Sequence, residues 1–334
     1  MSINSPHPLR VAIVGASTLK GRELKSVLSE RKFPVKKMVL MDSDENLGRL
    51  TEYESEAAVS LAIAESNFEF LDLAFFVEDS ATVLNYALLA KKAKFVLIDL
   101  TGAFFRDSRV PVYLANQETV FQPFHGLVSS PHSAVISIGI IMRRLSARYP
   151  IRCASVNIFD PASERGKKGL DELQQQTLNV FSFQKGPQEI FHQQLAFNLL
   201  PRLGDRAAPR LVEAEEMIAA QLRTLLDGSC PLPALTLIQA PIFHSHSFSG
   251  YVEFEELIAI DQLENDLTCE LLTVSETSNE PPSAIQVDGI DGIHLGGVKQ
   301  DFLNPNGIWF WAVSDNLRLS VQNAVAAAEA IFLH

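Results

Sequence analysis

The stretch that most constrains this chain is a short apolar run, residues 10–14, that stops at Gly15 and gives way to helical spacing over residues 22–31, where Leu24, Val27 and Leu28 share one face. The pattern then repeats. Strands are predicted at residues 37–41, 72–77 and 95–99, with a helix over residues 80–91 between the last two. Strands alternating with helices predict a doubly wound parallel sheet with crossover helices, the build of nucleotide-binding domains, over roughly the first 130 residues.

The pattern changes after residue 133. Residues 134–144 are apolar with helical spacing, and residues 152–159 read as a strand. A polar loop at residues 163–169 leads into a helix from Leu170, and residues 211–226 form a second amphipathic helix. Residues 235–242, 248–255 and 268–272 read as strands of a mixed or antiparallel sheet, and residues 314–332 as a closing helix. The 334 residues exceed one ordinary core, so two domains of α/β class are expected: a doubly wound parallel sheet, then an α+β domain with a mixed sheet.

Charge narrows the partners. The net charge of −12 argues against nucleic acid or an anionic membrane, both of which need a basic face. No apolar run approaches the length of about 18 residues needed to span a bilayer. Residues 1–9 are polar and short, with no apolar core of a signal peptide after them, so a cytoplasmic protein is expected. The three cysteines, Cys153, Cys230 and Cys269, are widely spaced, with no metal-ligand spacing. They read as buried small hydrophobes in a reducing compartment, and no metal site is expected.

The string from Val11 to Gly21 follows a strand and opens a helix, which makes Gly15, Ser17, Thr18, Leu19 and Gly21 candidates for a cofactor turn. Thr18 replaces the middle glycine of that fingerprint. Four further segments carry a resemblance. Residues 103–111, Ala-Phe-Phe-Arg-Asp-Ser-Arg-Val-Pro, resemble a loop of the aspartate-semialdehyde dehydrogenase family. Residues 195–201, Leu-Ala-Phe-Asn-Leu-Leu-Pro, are similar to that family's Ile-Ala-Phe-Asn-Val-Ile-Pro. Residues 315–318 and 323–325 resemble its C-terminal helix signature. Ser130-Pro-His-Ser133 stands where the family has Asn-Pro-Asn-Cys. The matches run in order along nearly the whole chain.

The resemblance implies a Rossmann-type domain of residues 1–133 with 315–334, and a dimerisation and catalytic domain of residues 134–314. The family's reaction uses a thiolate to attack an aldehyde, passes hydride to a nicotinamide and cleaves the thioester with phosphate. Ser133 fills the cysteine slot, Asp160 the glutamine slot and Gln239 the slot of the arginine that forks onto the substrate carboxylate; His246 is retained. The resemblance implies that Asp160 and His246 flank Ser133 separately, not in series. The family's Glu-x-x-Lys pair aligns with Ala214 and Met217, beside Glu215 and Glu216, and its phosphate-loop arginine with Phe105, next to Arg106. After the second strand, Met41-Asp-Ser-Asp-Glu-Asn46 offers no base until Arg49, and Asp42 suits a ribose hydroxyl while repelling a 2′-phosphate. Basic residues between Glu164 and Lys168 form either an anion contact or a solvated face.

Loss of the thiol and of the guanidinium together favours a catalytically degenerate member: a non-catalytic homodimer, joined through the second domain at residues 235–242 and 248–255, that binds NAD weakly and NADP less well. Two alternatives stand. One is an active NAD(P)-dependent dehydrogenase on another substrate. The other is a hydrolase built on Ser133, because serine, imidazole and carboxylate are the ingredients of an acyl-transfer triad.

Overall fold

The computed structural model describes residues 7–43, 50–53, 56–115, 122–228, 230–276 and 279–333. The chain divides into two units, Met1–His132 with Ser320–His334, and Ser133–Leu319.

In the first unit the elements run β1 (Leu9–Val14), α1 (Leu19–Glu30), β2 (Val35–Asp42), β3 (Leu50–Tyr53), β4 (Glu56–Val59), β5 (Leu61–Ala62), β6 (Leu73–Phe76), α2 (Ser80–Ala93), β7 (Val96–Asp99) and β8 (Leu127–Ser129). Six of these strands form a parallel sheet in the order β5-β2-β1-β6-β7-β8, while β3 and β4 pair as a separate hairpin. The order reverses at β1, so the carboxyl ends of β1 and β6 are the switch point where such sheets hold ligands. Val11 through Val14 are unexposed because both faces of the sheet are covered, which is why the strand reads as an unbroken apolar run. One face carries Leu24, Val27 and Leu28 of α1 with Val321, Ala324 and Val325 of the last helix. The other carries Val83 and Ala90 of α2 with Phe68, Phe76 and Phe95; burying one such phenylalanine contributes about 1.5–3 kcal/mol.

The second unit contains α3 (Ser133–Ser146), β9 (Ile151–Asp160), α4 (Gly166–Phe181), α5 (Leu211–Leu226), β10 (Ala234–Gln239), β11 (His246–Phe254), α6 (Ile260–Leu267), β12 (Leu272–Val274), α7 (Ala284–Val287), β13 (Ile293–Gln300), β14 (Gly307–Ser314) and the start of α8 (Asn316–Phe332). Its sheet runs β10-β9-β11-β14-β13-β12 and is mixed, with parallel pairs at both edges and antiparallel pairs between. Ser133 through Met142 of α3 are all buried, and Ile138, Ile141 and Met142 meet Val156, Phe248 and Phe310 of the sheet. The opposite face presents half-exposed Phe159, Tyr251, Trp309 and Trp311, with Phe159 5.8 Å from Trp311 and Tyr251 5.0 Å from Trp309.

Several expectations are corrected. The strand expected at residues 268–272 starts only at Leu272, because the chain before it turns after α6. β13 and β14 carry no prediction at all. β14 alternates buried Ile308, Phe310 and Ala312 with half-exposed Trp309 and Trp311, a period-two signal that was there to read. β13 is masked by Gly296 and Gly297, where its register shifts. Only Cys230 is buried: Cys153 is exposed on β9 and Cys269 is half-exposed. Among the described residues no helix is long and apolar enough to cross a membrane.

Candidate functional site

Four element ends of the second unit converge. Ser133 is the first residue of α3, Asp160 the last of β9, Gln239 the last of β10 and His246 the first of β11. β10 runs parallel to β9 with Gln239 opposite Asp160. β11 runs antiparallel to β9, which brings its first residue to the carboxyl end of that strand. Ser133, Gln239 and His246 are fully buried and Asp160 is 4% exposed.

The hydroxyl of Ser133 lies 3.2 Å from His246 Nδ1, and His246 Nε2 lies 3.0 Å from Asp160 Oδ1. This corrects the expectation that Asp160 and His246 flank the serine separately: the three side chains stand in series. A carboxylate only accepts hydrogen bonds, so the Asp160 contact calls for a proton on Nε2, and in the neutral ring Nδ1 is then the acceptor for the Ser133 hydroxyl. That is the tautomer a general base needs. The ring is reversed relative to the familiar hydrolase triad, in which Nε2 meets the serine. Ser133 also stands at the positive end of the α3 dipole. Arg165 lies within the electrostatic reach of Asp160; burial pushes its guanidinium down, against the pull of Asp160, Glu164 and Glu213.

Gln239 donates through Nε2 to the backbone carbonyl of Asp160 at 2.8 Å, while its Oε1 is buried without a hydrogen-bond partner among the described residues. Ser245, in the left-handed region at φ 71°, donates its N–H to Asn316 Oδ1 at 3.1 Å, and its hydroxyl is likewise buried without a partner among the described residues. Asn316 Nδ2 donates to Glu164 Oε1 at 2.7 Å. A Glu164 oxygen lies within 4.8 Å of a His246 ring nitrogen. Sequence reasoning missed Ser245 and Asn316. The signal for Asn316 was its place at the start of the last helix, next to Asp315.

The other candidates are bound up elsewhere. Glu215 accepts from the Leu237 N–H at 2.7 Å, tying α5 to β10. Arg165 donates to the Pro209 carbonyl and Lys167 pairs with Asp171, so these two bases are engaged within the unit. Arg106 stacks over the Phe105 ring at 4.8 Å.

In the first unit the glycine turn is closed on itself. The N–H groups of Gly15 and Ala16 both donate to the Met41 carbonyl, at 2.8 and 3.1 Å, and that of Thr18 donates to the Gly15 carbonyl at 3.0 Å. Thr18 Oγ1 caps α1, which Leu19 opens, by accepting from the Gly21 N–H at 3.0 Å. A side chain at Gly21 would meet the Gly15 carbonyl oxygen at 2.2 Å, so helix and turn pack without space between them. Asp42 is fully buried and accepts from Ser17 N–H and Ser17 Oγ, each at 2.8 Å. Asp42 therefore braces the turn through Ser17. Residues 44–46 and Arg49 of the same loop lie outside the described residues.

Gly15 has φ 95°, and a Cβ there would lie 2.9 Å from Glu78 Oε2. Glu78 follows β6 at the switch point, and its other carboxylate oxygen accepts from Ser43 at 2.8 Å. A pyrophosphate needs open N–H groups and no like charge at the helix start. The N–H groups of Gly15, Ala16, Thr18 and Gly21 are taken up within the turn, and the Glu78 carboxylate stands beside Gly15.

A parallel sheet with a glycine turn at its switch point, joined in one chain to a mixed-sheet unit with a polar side chain at a helix start, is the build of a two-domain dehydrogenase. Residues 10–120 match the semialdehyde dehydrogenase NAD binding domain, and residues 143–319 the semialdehyde dehydrogenase dimerisation domain. The chain is 27% identical over 326 residues to aspartate-semialdehyde dehydrogenase of Rickettsia conorii, covering 96% of each. It is 28% identical to that of Aquifex aeolicus over 330 residues, covering 96% of this chain and 97% of the relative. Among solved structures, a probable aspartate-semialdehyde dehydrogenase from Pseudomonas aeruginosa superposes with a TM-score of 0.89 at 27% identity, covering 98% of this chain and 99% of that one. The chain belongs to the semialdehyde dehydrogenase family.

Proposed function

We propose that this member of the family does not carry out phosphate-dependent aldehyde oxidation, and that it is a cytoplasmic, homodimeric paralogue that holds a small polar molecule at the Ser133 site and grips dinucleotides weakly. One observation carries this reading: the side chain at the head of α3 is a hydroxyl, buried in a hydrogen bond with His246. An unperturbed thiol has a pKa of about 8.5, whereas a serine hydroxyl stays un-ionised near neutral pH. Nor does another cysteine serve. Cys153 lies seven residues before Asp160 on β9, roughly 23 Å away along an extended strand. Cys230 precedes β10, at the end opposite Gln239, and Cys269 follows α6. This weighs against an active dehydrogenase on another substrate. The test is a spectrophotometric assay of the purified protein with aspartate semialdehyde, phosphate and either NAD or NADP; steady reduction of the cofactor refutes the reading.

The unbroken chain from Ser133 through His246 to Asp160 favours a second reading, acyl transfer by Ser133. In that role His246 Nδ1 takes the serine proton as the hydroxyl oxygen bonds to the acyl carbon of an ester, and returns it to the alkoxide that leaves as the ester C–O bond breaks, while Asp160 holds the imidazole through Nε2. The two readings share the same residues and part on one measurement, covalent labelling of Ser133 by an activated ester.

A further inference from the structure

We propose that a cleft of the second unit, between α5 and β10, binds a small dipolar molecule that carries an ammonium and a carboxylate at the two ends of an apolar chain. β10 is the outermost strand of its sheet, and α5 packs on it. Between them lies a cavity of about 250 Å³, lined by Glu215, Glu216, Ala219 and Arg223 of the helix and by Leu232 and Leu235 of the opposite wall. That volume is near the lower end for ligand pockets and suits a small molecule. The cleft meets β10 at its amino end. Gln239 ends the strand four residues beyond Leu235, roughly 13 Å away, so the cleft is separate from the Ser133 site.

The helix arranges the charges of the cleft. Glu215 accepts from the Leu237 N–H through Oε2 at 2.7 Å, which anchors its carboxylate in the cleft wall. Glu216 stands next to it in the chain. Arg223 follows Glu216 by seven residues, about two turns and roughly 10 Å along the axis. Charges on a helix pair at a spacing of three or four residues, as Arg210 does with Glu213 at the start of α5. Between Glu216 and Arg223 that position holds Ala219, which carries no charge and leaves the space between the two open. Neither side chain has an ion pair among the described residues. Leu232, 45% exposed, and half-buried Leu235 give the gap an apolar wall. An ammonium is favoured at the glutamates and a carboxylate at the Arg223 fork, with methylenes covering the leucines. A simple acid is repelled by the glutamates, and a simple amine leaves Arg223 without a counter-charge.

The experiment is calorimetric titration of the full chain with 6-aminohexanoate and, separately, with hexanoate and hexylamine. 6-Aminohexanoate is expected to bind at least about fivefold more tightly than either, the gain from one added ion pair in a half-open cleft. Arg223→Gln is expected to bring its affinity down to that of hexylamine, and Glu216→Gln to weaken it by about fivefold. Ala219→Leu keeps every charge but fills the cleft, and is expected to abolish binding. Thermal unfolding confirms that each variant is folded, and the three substitutions test the proposal independently. Equal binding of the three compounds by the unmodified protein overturns the proposal. So does 6-aminohexanoate binding that Ala219→Leu and Arg223→Gln both leave unchanged, and so does the absence of saturable binding up to about 10 mM.

Discussion

Ser133 and His246 share a hydrogen bond of 3.2 Å at two positions 113 residues apart in the chain, with neither side chain exposed to solvent. The bond joins the first residue of a helix to the first residue of a strand, and Asp160 closes it from the far side of the ring. It sets the catalytic expectations for this protein.

Aspartate semialdehyde should not be oxidised, and Ser133→Cys alone should not restore the reaction. The thiol repairs only nucleophilicity. A guanidinium holds a carboxylate with charged hydrogen bonds worth about 1.5–3 kcal/mol each, and neutral Gln239 supplies none of these. Ser133→Cys, Asp160→Gln and Gln239→Arg together are the minimum set to assay. Turnover of about 1 per second in the unmodified protein, within the usual enzyme range, defeats this prediction.

If the relay works as an acyl-transfer device, p-nitrophenyl acetate should acylate Ser133, detectable by peptide mass. His246→Ala should slow the labelling by about 10²–10⁴-fold, the usual contribution of a general base. Labelling no faster than in Ser133→Ala removes acyl transfer from consideration.

Dinucleotide binding should be weak and weaker for NADP than for NAD, since Glu78 and Asp42 put carboxylates at the turn. Glu78→Gln with Thr18→Gly removes the charge and frees the Gly21 N–H. Affinity for NADH, followed by its fluorescence, should rise by about tenfold or more. Tighter binding of NADP than NAD by the unmodified protein contradicts this account of the turn.

The half-exposed aromatic face of the second sheet should lie in a homodimer interface. Obligate interfaces of this kind usually bury about 2,000 Å² or more, and Trp311→Asp should break the dimer. Light scattering that reports a monomer mass for the unmodified protein at micromolar concentration would sink the proposal.

Burial pushes the carboxyl of Asp99 up, opposed by hydrogen bonds from Thr101, Phe104 and Ala103. An acid whose folded pKa is raised contributes its stability below the unfolded value, about 3.9, and loses it as pH rises through the folded one. Asp99→Asn should therefore be more stable than the parent at pH 7, with the gap closing below pH of about 4. Thermal unfolding across that range checks it, and a gap that widens on acidification would contradict the sign.

Much of this was legible in the chain itself. The apolar run ending at Gly15 announces a buried parallel strand, because a strand covered on both faces cannot alternate. Residues 211–226 show their helix through spacing alone, and the structure places α5 at the same limits. The residue types at Ser133, Asp160, Gln239 and His246 could be read off by resemblance. β13 could not, because paired glycines erase the side-chain pattern on which any reading depends.

What the sequence determined is composition and local preference: which segments bury, where helices start, and that a hydroxyl and an amide stand at the site. Tertiary structure alone decided direction. The antiparallel course of β11 against β9 brings His246 between Ser133 and Asp160, turning three separate groups into a series. The approach of Glu78 to Gly15 set a carboxylate beside the glycine turn. The reason is physical: a hydrogen bond depends on distance and angle between atoms far apart in the chain, and those are fixed only when the sheet register is fixed.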